Sequence, residues 1–205
     1  MIIGQWEIFI KEKYSQKGFA LIELLVVISI IFLLASISLV AFNNARKKAR
    51  DVKRLADMAQ IQKALEFFYE DNNFYYPYTS GYGEEEVSGP DCWGWDSSNR
   101  DYDGDGRPFI EPLIDIGIVS FVPNDPSAGV VSGSCFAKDG GFEYRYYRYP
   151  AVNAALYGCP QIRPFYVLGI TNMETSIGNY PGNPGWSCAS RDWSGEFEWV
   201  TRMYE

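Results

Sequence analysis

Lys17-Gly18-Phe19-Ala20-Leu21-Ile22-Glu23-Leu24-Leu25-Val26-Val27 opens an apolar run that reaches Phe42 with Glu23 as its only charge. At about 1.5 Å of rise per residue, a helix over residues 19–42 is long enough to cross a hydrocarbon core of about 30 Å. A carboxylate near the start of such a segment loses its hydration and has to be neutralised or paired. Cleavage after Gly18 supplies a partner. The new amino group on Phe19 would lie one helical turn from Glu23, or the carboxylate would reach the amine of a neighbouring copy. The plainer alternative is a signal anchor carrying a stray glutamate, which the cost of that residue in lipid disfavours.

These residues closely resemble the prepilin cleavage signal of type IV pilins and type II secretion pseudopilins. The resemblance implies a membrane peptidase that cuts after Gly18 and methylates Phe19, and a role for Glu23 in filament assembly. Two further stretches extend it. Ala64-Leu65-Glu66-Phe67-Phe68-Tyr69-Glu70-Asp71-Asn72-Asn73-Phe74-Tyr75-Tyr76-Pro77 resembles the A-L-x-x-Y-x-x-D-N-x-x-Y-P close of the long helix in major pseudopilins. Residues 113–126, with Gly117, Val122-Pro123 and Asp125-Pro126, are similar to the pseudopilin segment that ends in P-x-D-P.

The 205 residues accommodate one domain plus a membrane helix. Lysine and arginine total 18 against 26 acidic residues, a net charge of −8 that is unevenly spread. Residues 43–73 are basic on balance, whereas residues 74–205 hold eight basic and eighteen acidic side chains. An acidic head repels phosphate backbones, so no direct nucleic-acid binding is expected. The chain contains no histidine, which removes Ser/His/Asp and Cys/His sites and imidazole-bound metals. A membrane-anchored enzyme is therefore the weakest reading; the acidic residues contain no spacing that singles out a general-acid pair.

Residues 1–18, with Lys11, Lys13 and Lys17, read as a leader. Residues 19–42 survive cleavage as the transmembrane and assembly half of a long helix, and the rest lies outside the cytoplasm. The count of Arg46, Lys47, Lys48, Arg50, Lys53 and Arg54 argues for the opposite orientation, since positive charge usually stays inside. The prepilin signal and the cysteines outweigh it. In residues 43–73, Val52, Leu55, Met58 or Ala59, Ile61 or Gln62, Leu65 and Phe68 recur at spacings of three and four. This predicts an amphipathic half of the same helix, with Arg54, Asp57, Lys63, Glu66 and Glu70 on its other face. Asp71-Asn72-Asn73 and Pro77 supply the stop near Glu70.

Residues 74–205 are expected to form the head. Its stretch from residue 78 to residue 107 is rich in Gly, Ser, Asp and Pro and reads as loop. Within it, Asp101, Asp103 and Asp105 alternate beside Gly104 and Gly106, a spacing of hard oxygen donors that suits Ca²⁺. Asp96, Asp91 or Glu111 would complete the shell; a solvated Asp/Gly turn is the alternative. The resemblance adds to the calcium reading, since some pseudopilins bind calcium in their heads. Residues 142–149 alternate as a half-buried strand, residues 164–171 form a second and residues 196–203 a third. Hairpin-connected strands on an amphipathic helix give an α+β, pilin-like head with an antiparallel sheet. Cys92, Cys135, Cys159 and Cys188 lack a C-x-x-C pair and point to two disulfides in an exported head. Of three connectivities, the expectation leans to Cys135 with Cys159 and Cys92 with Cys188.

The resulting expectation is a structural subunit of a pilus-like filament, held in the cytoplasmic membrane until it polymerises with copies of itself and other pilins. A type II secretion pseudopilin, or a calcium-dependent minor pilin at a filament tip, are the alternatives.

Overall fold

The computed structural model describes residues 21–77, 95–98, 108–127 and 141–205. The chain is α+β and divides into two compact units, Met1–Asn43 and Asn44–Glu205. Helix α1, Leu21–Asp71, contributes to both. Among the described residues it is the one helix long and apolar enough to cross a membrane.

In the first unit, residues 21–43 are helical and every one is exposed, including Ile22, Leu24, Phe32 and Phe42. The hydroxyls of Ser29, Ser36 and Ser38 donate back to the carbonyls of Leu25, Leu33 and Leu34 at 2.7, 2.8 and 2.9 Å. Those polar groups are satisfied within the helix itself, as an apolar surrounding requires.

The second unit is a helix packed on a sheet. Strands β1 (Asp96–Ser97), β2 (Tyr144–Tyr149), β3 (Phe165–Ile170) and β6 (Trp199–Tyr204) form an antiparallel sheet in the order β1-β2-β3-β6. A short helix α2, Pro112–Asp115, follows β1, and α3, Ala151–Tyr157, links β2 to β3. A two-stranded hairpin, β4 (Ser187–Cys188) and β5 (Arg191–Asp192), precedes β6.

The period-two alternation of the strands sorts two cores. Tyr144, Tyr146, Tyr166, Leu168, Ile170 and Trp199 pack with Met58, Ile61, Ala64, Leu65 and Phe68 of α1. Tyr147, Tyr149, Phe165, Val167 and Val200 pack instead with Trp186, Trp193 and Phe197. The second core corrects an expectation: all six residues of β2 are buried, where one wet face was expected. The segment that carries Trp186, Trp193 and Phe197 covers the face that alternation alone assigns to water. Gly169 makes this possible, since a Cβ there would stand 2.5 Å from the Phe197 ring.

Helix α1 stops at Asp71, one residue past the expected end. The side-chain amide and the N–H of Asn72 both donate to the Phe68 carbonyl at 2.9 Å. Asn73 and Phe74 then turn with φ of 54° and 65°. Tyr76 stacks on Tyr69 and meets Tyr166 edge-on, both with ring centroids 4.6 Å apart, so the helix end is sealed against the sheet.

Candidate assembly helix and its ion-pair lock

The candidate site begins at Glu23, which the structure places in the first turn of α1 on an exposed surface. Negative charge there is favoured by the helix dipole. Gly18 and Phe19 lie outside the described residues. The apolar face that follows is wholly uncovered, with Leu21 at 81% and Phe32 at 72% exposure. Buried in a second apolar medium, lipid or protein, such a surface would recover roughly 25 cal/mol per Å².

Farther along α1 the charges are treated differently. Arg54 is completely buried and uses every guanidinium direction. Its Nε and Nη2 donate to the two oxygens of Asp125 at 2.7 and 3.0 Å, a bidentate pair. Its Nη1 donates to Asp51 at 2.6 Å and to Glu174 at 3.1 Å, and Nη2 also donates to Ser127 at 2.6 Å. The guanidinium lies over the Phe142 ring, 4.6 Å from its centroid. Burial opposes the Arg54 charge, but the bonds from Asp125, Asp51 and Glu174 outweigh it and leave its pKa raised.

Asp51 carries the lock to the loop after β3. It accepts the backbone N–H of Glu174 and of Thr175, each at 2.9 Å, and the Thr175 hydroxyl at 2.6 Å. Glu174 also pairs with Arg50. Hydrogen bonding from Arg50, then from Arg54 and Ser127, holds the Glu174 carboxyl at about 2, against an ordinary value of 4.5. One turn along, Asp57 accepts from Lys53 at 3.0 Å and from the Tyr144 hydroxyl at 2.8 Å. Burial first, and that bond second, raise the Tyr144 pKa.

Arg54 and Asp57 were expected on the solvent face, and the structure puts both inside. The signal that finds them is their spacing. Asp51, Arg54, Met58, Ile61, Leu65 and Phe68 follow one another at intervals of three and four and are all buried. The apolar stripe thus continues toward the N-terminus through two opposite charges, while Val52 is 62% exposed. The partner Asp125 belongs to the Pro123-Asn124-Asp125-Pro126 segment, so the amphipathic half of α1 and the P-x-D-P segment meet at this bond.

Two other buried pairs close the sheet. Arg148 of β2 pairs with Glu205, whose Oε1 also accepts the Tyr76 N–H at 3.0 Å. Arg145 pairs with Glu143.

Of the calcium candidates, Asp101, Asp103 and Asp105, together with Asp91, lie outside the described residues. Asp96 is buried on β1 and accepts the Ile110 N–H at 2.7 Å, and Glu111 caps α2 through its backbone. Among the described residues no group of three or more metal-binding side chains occurs. The expected pairings of Cys135 with Cys159 and of Cys92 with Cys188 are both corrected: Cys159 is bonded to Cys188, with Cα atoms 4.5 Å apart. The reason is a tertiary contact. Gly158 at φ 64° ends α3, and its flank meets the β4–β5 hairpin where Ser190 N–H donates to the Tyr157 carbonyl at 3.0 Å. Cys92 and Cys135 lie outside the described residues.

Residues 13–39 match the model of the prokaryotic N-terminal methylation motif. The chain carries a prepilin-type N-terminal signal. It is similar to type II secretion system core protein G of Escherichia coli, 36% identical over 76 residues, or 37% of this chain and 52% of that protein. The same named protein of Pectobacterium carotovorum is 37% identical over 62 residues, 30% of this chain and 40% of the relative. The type IV wide pilus major component of Thermus thermophilus is 44% identical over 61 residues, 30% of this chain and 47% of the relative. The chain thus spans about half the length of the curated relatives it matches. No solved structure matches it.

Proposed function

We propose that this protein is a structural subunit of a type IV pilus-like filament, cut after Gly18 by a prepilin peptidase and polymerised through residues 19–42. The observation that carries the proposal is the uncovered helix of residues 21–43, with Glu23 as its single charge. The methylation motif and the pilin and pseudopilin relatives support it. A helix of this kind leaves lipid for a filament core that is equally apolar, so transfer costs little in solvation. Glu23, paired with the Phe19 amino group, would set the register between copies. The role is structural, and the one covalent event is performed on the chain by the peptidase.

In this reading the protein begins as a single-pass protein of the cytoplasmic membrane with its head outside. Replacing Glu23 by Ala should leave processing intact and sharply reduce incorporation into filaments; normal filaments from that variant would refute the role given to Glu23. A pseudopilin of a type II secretion system is the second reading, favoured by the relatives of that name. Deleting the chain and scoring protein secretion against surface pili separates the two.

Calcium at Asp101, Asp103 and Asp105 belongs to the proposal and is supported by their spacing. With Asp96 or Glu111 completing the shell, affinity around 10⁻⁴–10⁻³ M is the expected order for an extracellular site. Calorimetry that gives no heat with millimolar Ca²⁺ removes it.

A further inference from the structure

The Asn44–Glu205 unit shows two apolar features on opposite sides of its sheet. The first is on α3, which Pro150 leads into and Gly158 ends. Ala154 and Tyr157 pack into the core that holds Phe165 and Trp193, so the opposite face of the helix turns outward. That face carries Val152 and Leu156, one turn apart, at 69% and 72% exposure. Ile162, in the segment leading to β3, is exposed as well.

The second feature is a groove on the side of the sheet that α1 covers. Ile61 and Ala64 of α1 line it together with Leu113, Val119, Phe121 and Pro123. Its volume is about 170 Å³, below the roughly 300–1,000 Å³ of small-molecule sites. That space suits an inserted side chain better than a free ligand, and Gln60 is the one polar residue in its lining.

Charge selects the occupant. Residues 74–205 carry eighteen acidic side chains against eight basic, so two copies of the head repel each other. Both apolar features depart from that balance. Residues 149–162, which include α3, and residues 116–124, which supply one side of the groove, contain no charged residue. There two like-charged heads approach with least repulsion, and a charged partner finds nothing to pair with.

We propose that Val152 and Leu156 of one copy seat in the groove between α1 and residues 113–123 of the next copy in the filament. A projection and a recess on opposite sides of one sheet make a head-to-tail contact, which leaves one of each free at the ends and so propagates. These few side chains fall far short of the roughly 800 Å² per partner of a free-standing interface. The contact therefore operates only between copies already held in one assembly, where effective concentration is high. The proposal rests on the reading of the chain as a filament subunit.

The test places the photo-crosslinker p-benzoyl-phenylalanine at position 156 of the full-length chain and irradiates assembled filaments. The expected result is a covalent ladder of dimers, trimers and higher species, with the label attached to residues 60–64 or 113–123 of the neighbouring copy. Phe121→Asp, a change at an exposed position of the groove, should lower the yield of the ladder about tenfold, the worth of one buried apolar side chain. Dimers without higher species mean a self-facing contact and overturn the proposal, as does a label on another protein or a ladder unchanged by Phe121→Asp. Electron microscopy of the same sample reports assembly separately: filaments whose crosslinks map elsewhere overturn this contact alone, and absence of filaments overturns the filament reading with it.

Discussion

Residues 21–43 of helix α1 expose every side chain, Glu23 included, whereas residues 44–71 bury Asp51 and Arg54 completely. One helix therefore carries two treatments of charge. In the second stretch each buried charge finds its partner inside the chain, and the five N–H groups of Arg54 are all bonded. In the first, the apolar side chains are exposed among the described residues. A helix face finished by its own chain is a piece of a stable domain; one left bare is a surface awaiting lipid or other copies. The boundary lies where the stripe of residues 51, 54, 58, 61, 65 and 68 begins.

The strongest way to break this comparison is to remove Arg54. Arg54→Met strands Asp51 and Asp125 without their cation, and loss of one partner from a buried pair costs about 3–5 kcal/mol. Denaturant unfolding of the full chain in detergent should register that loss; a cost under about 1 kcal/mol would mean the network is not closed as described.

A smaller effect is expected at the sheet. Gly169→Ala drives a methyl into the Phe197 ring, and overpacking of this kind costs about 1–3 kcal/mol. The same unfolding measurement checks it, and no effect would show that the covered face of β3 is loosely packed.

Acid should weaken only the second region. Because the folded-state pKa of Glu174 is lowered to about 2 from 4.5, its contribution is complete above about pH 4.5 and is lost as pH falls toward 2. Unfolding midpoints recorded between pH 6 and pH 3 should decline, and Glu174→Gln should flatten part of that slope. A decline of the same size in the variant removes Glu174 as its source.

The smallest effect sharpens the comparison from the other side. Glu23→Ala touches an exposed residue of the first region and should change unfolding by no more than about 0.5 kcal/mol. A larger loss would mean that Glu23 supports the fold of the isolated chain.

Much of this architecture is legible in the sequence, because periodicity reports local geometry. The end of α1 was read from Asp71-Asn72-Asn73 to within a residue, and the three long strands were read from alternation around Tyr144–Tyr149, Phe165–Ile170 and Trp199–Tyr204. What escaped depends on contacts between distant residues. The spacing of Asp51 and Arg54 continues the buried stripe, but their partners do not follow from it: Arg54 meets Asp125 and Glu174 across 71 and 120 positions. The covered second face of β2 depends on Trp186 and Trp193, which flank the short β4–β5 hairpin ahead of β6. Disulfide choice failed for the same reason: Cys159 and Cys188 meet because Gly158 turns α3 against the β4–β5 hairpin, a juxtaposition that cysteine counting does not contain. The N-terminal methylation motif lay at the opposite extreme, since residues 13–39 carry it within one stretch of sequence.

The most direct test of the central claim is the intact mass and N-terminal residue of the protein recovered from sheared filaments or native membranes. The account predicts a chain that begins at Phe19 and carries one added methyl group. A chain that still begins at Met1, or one cut after the apolar run, would contradict it.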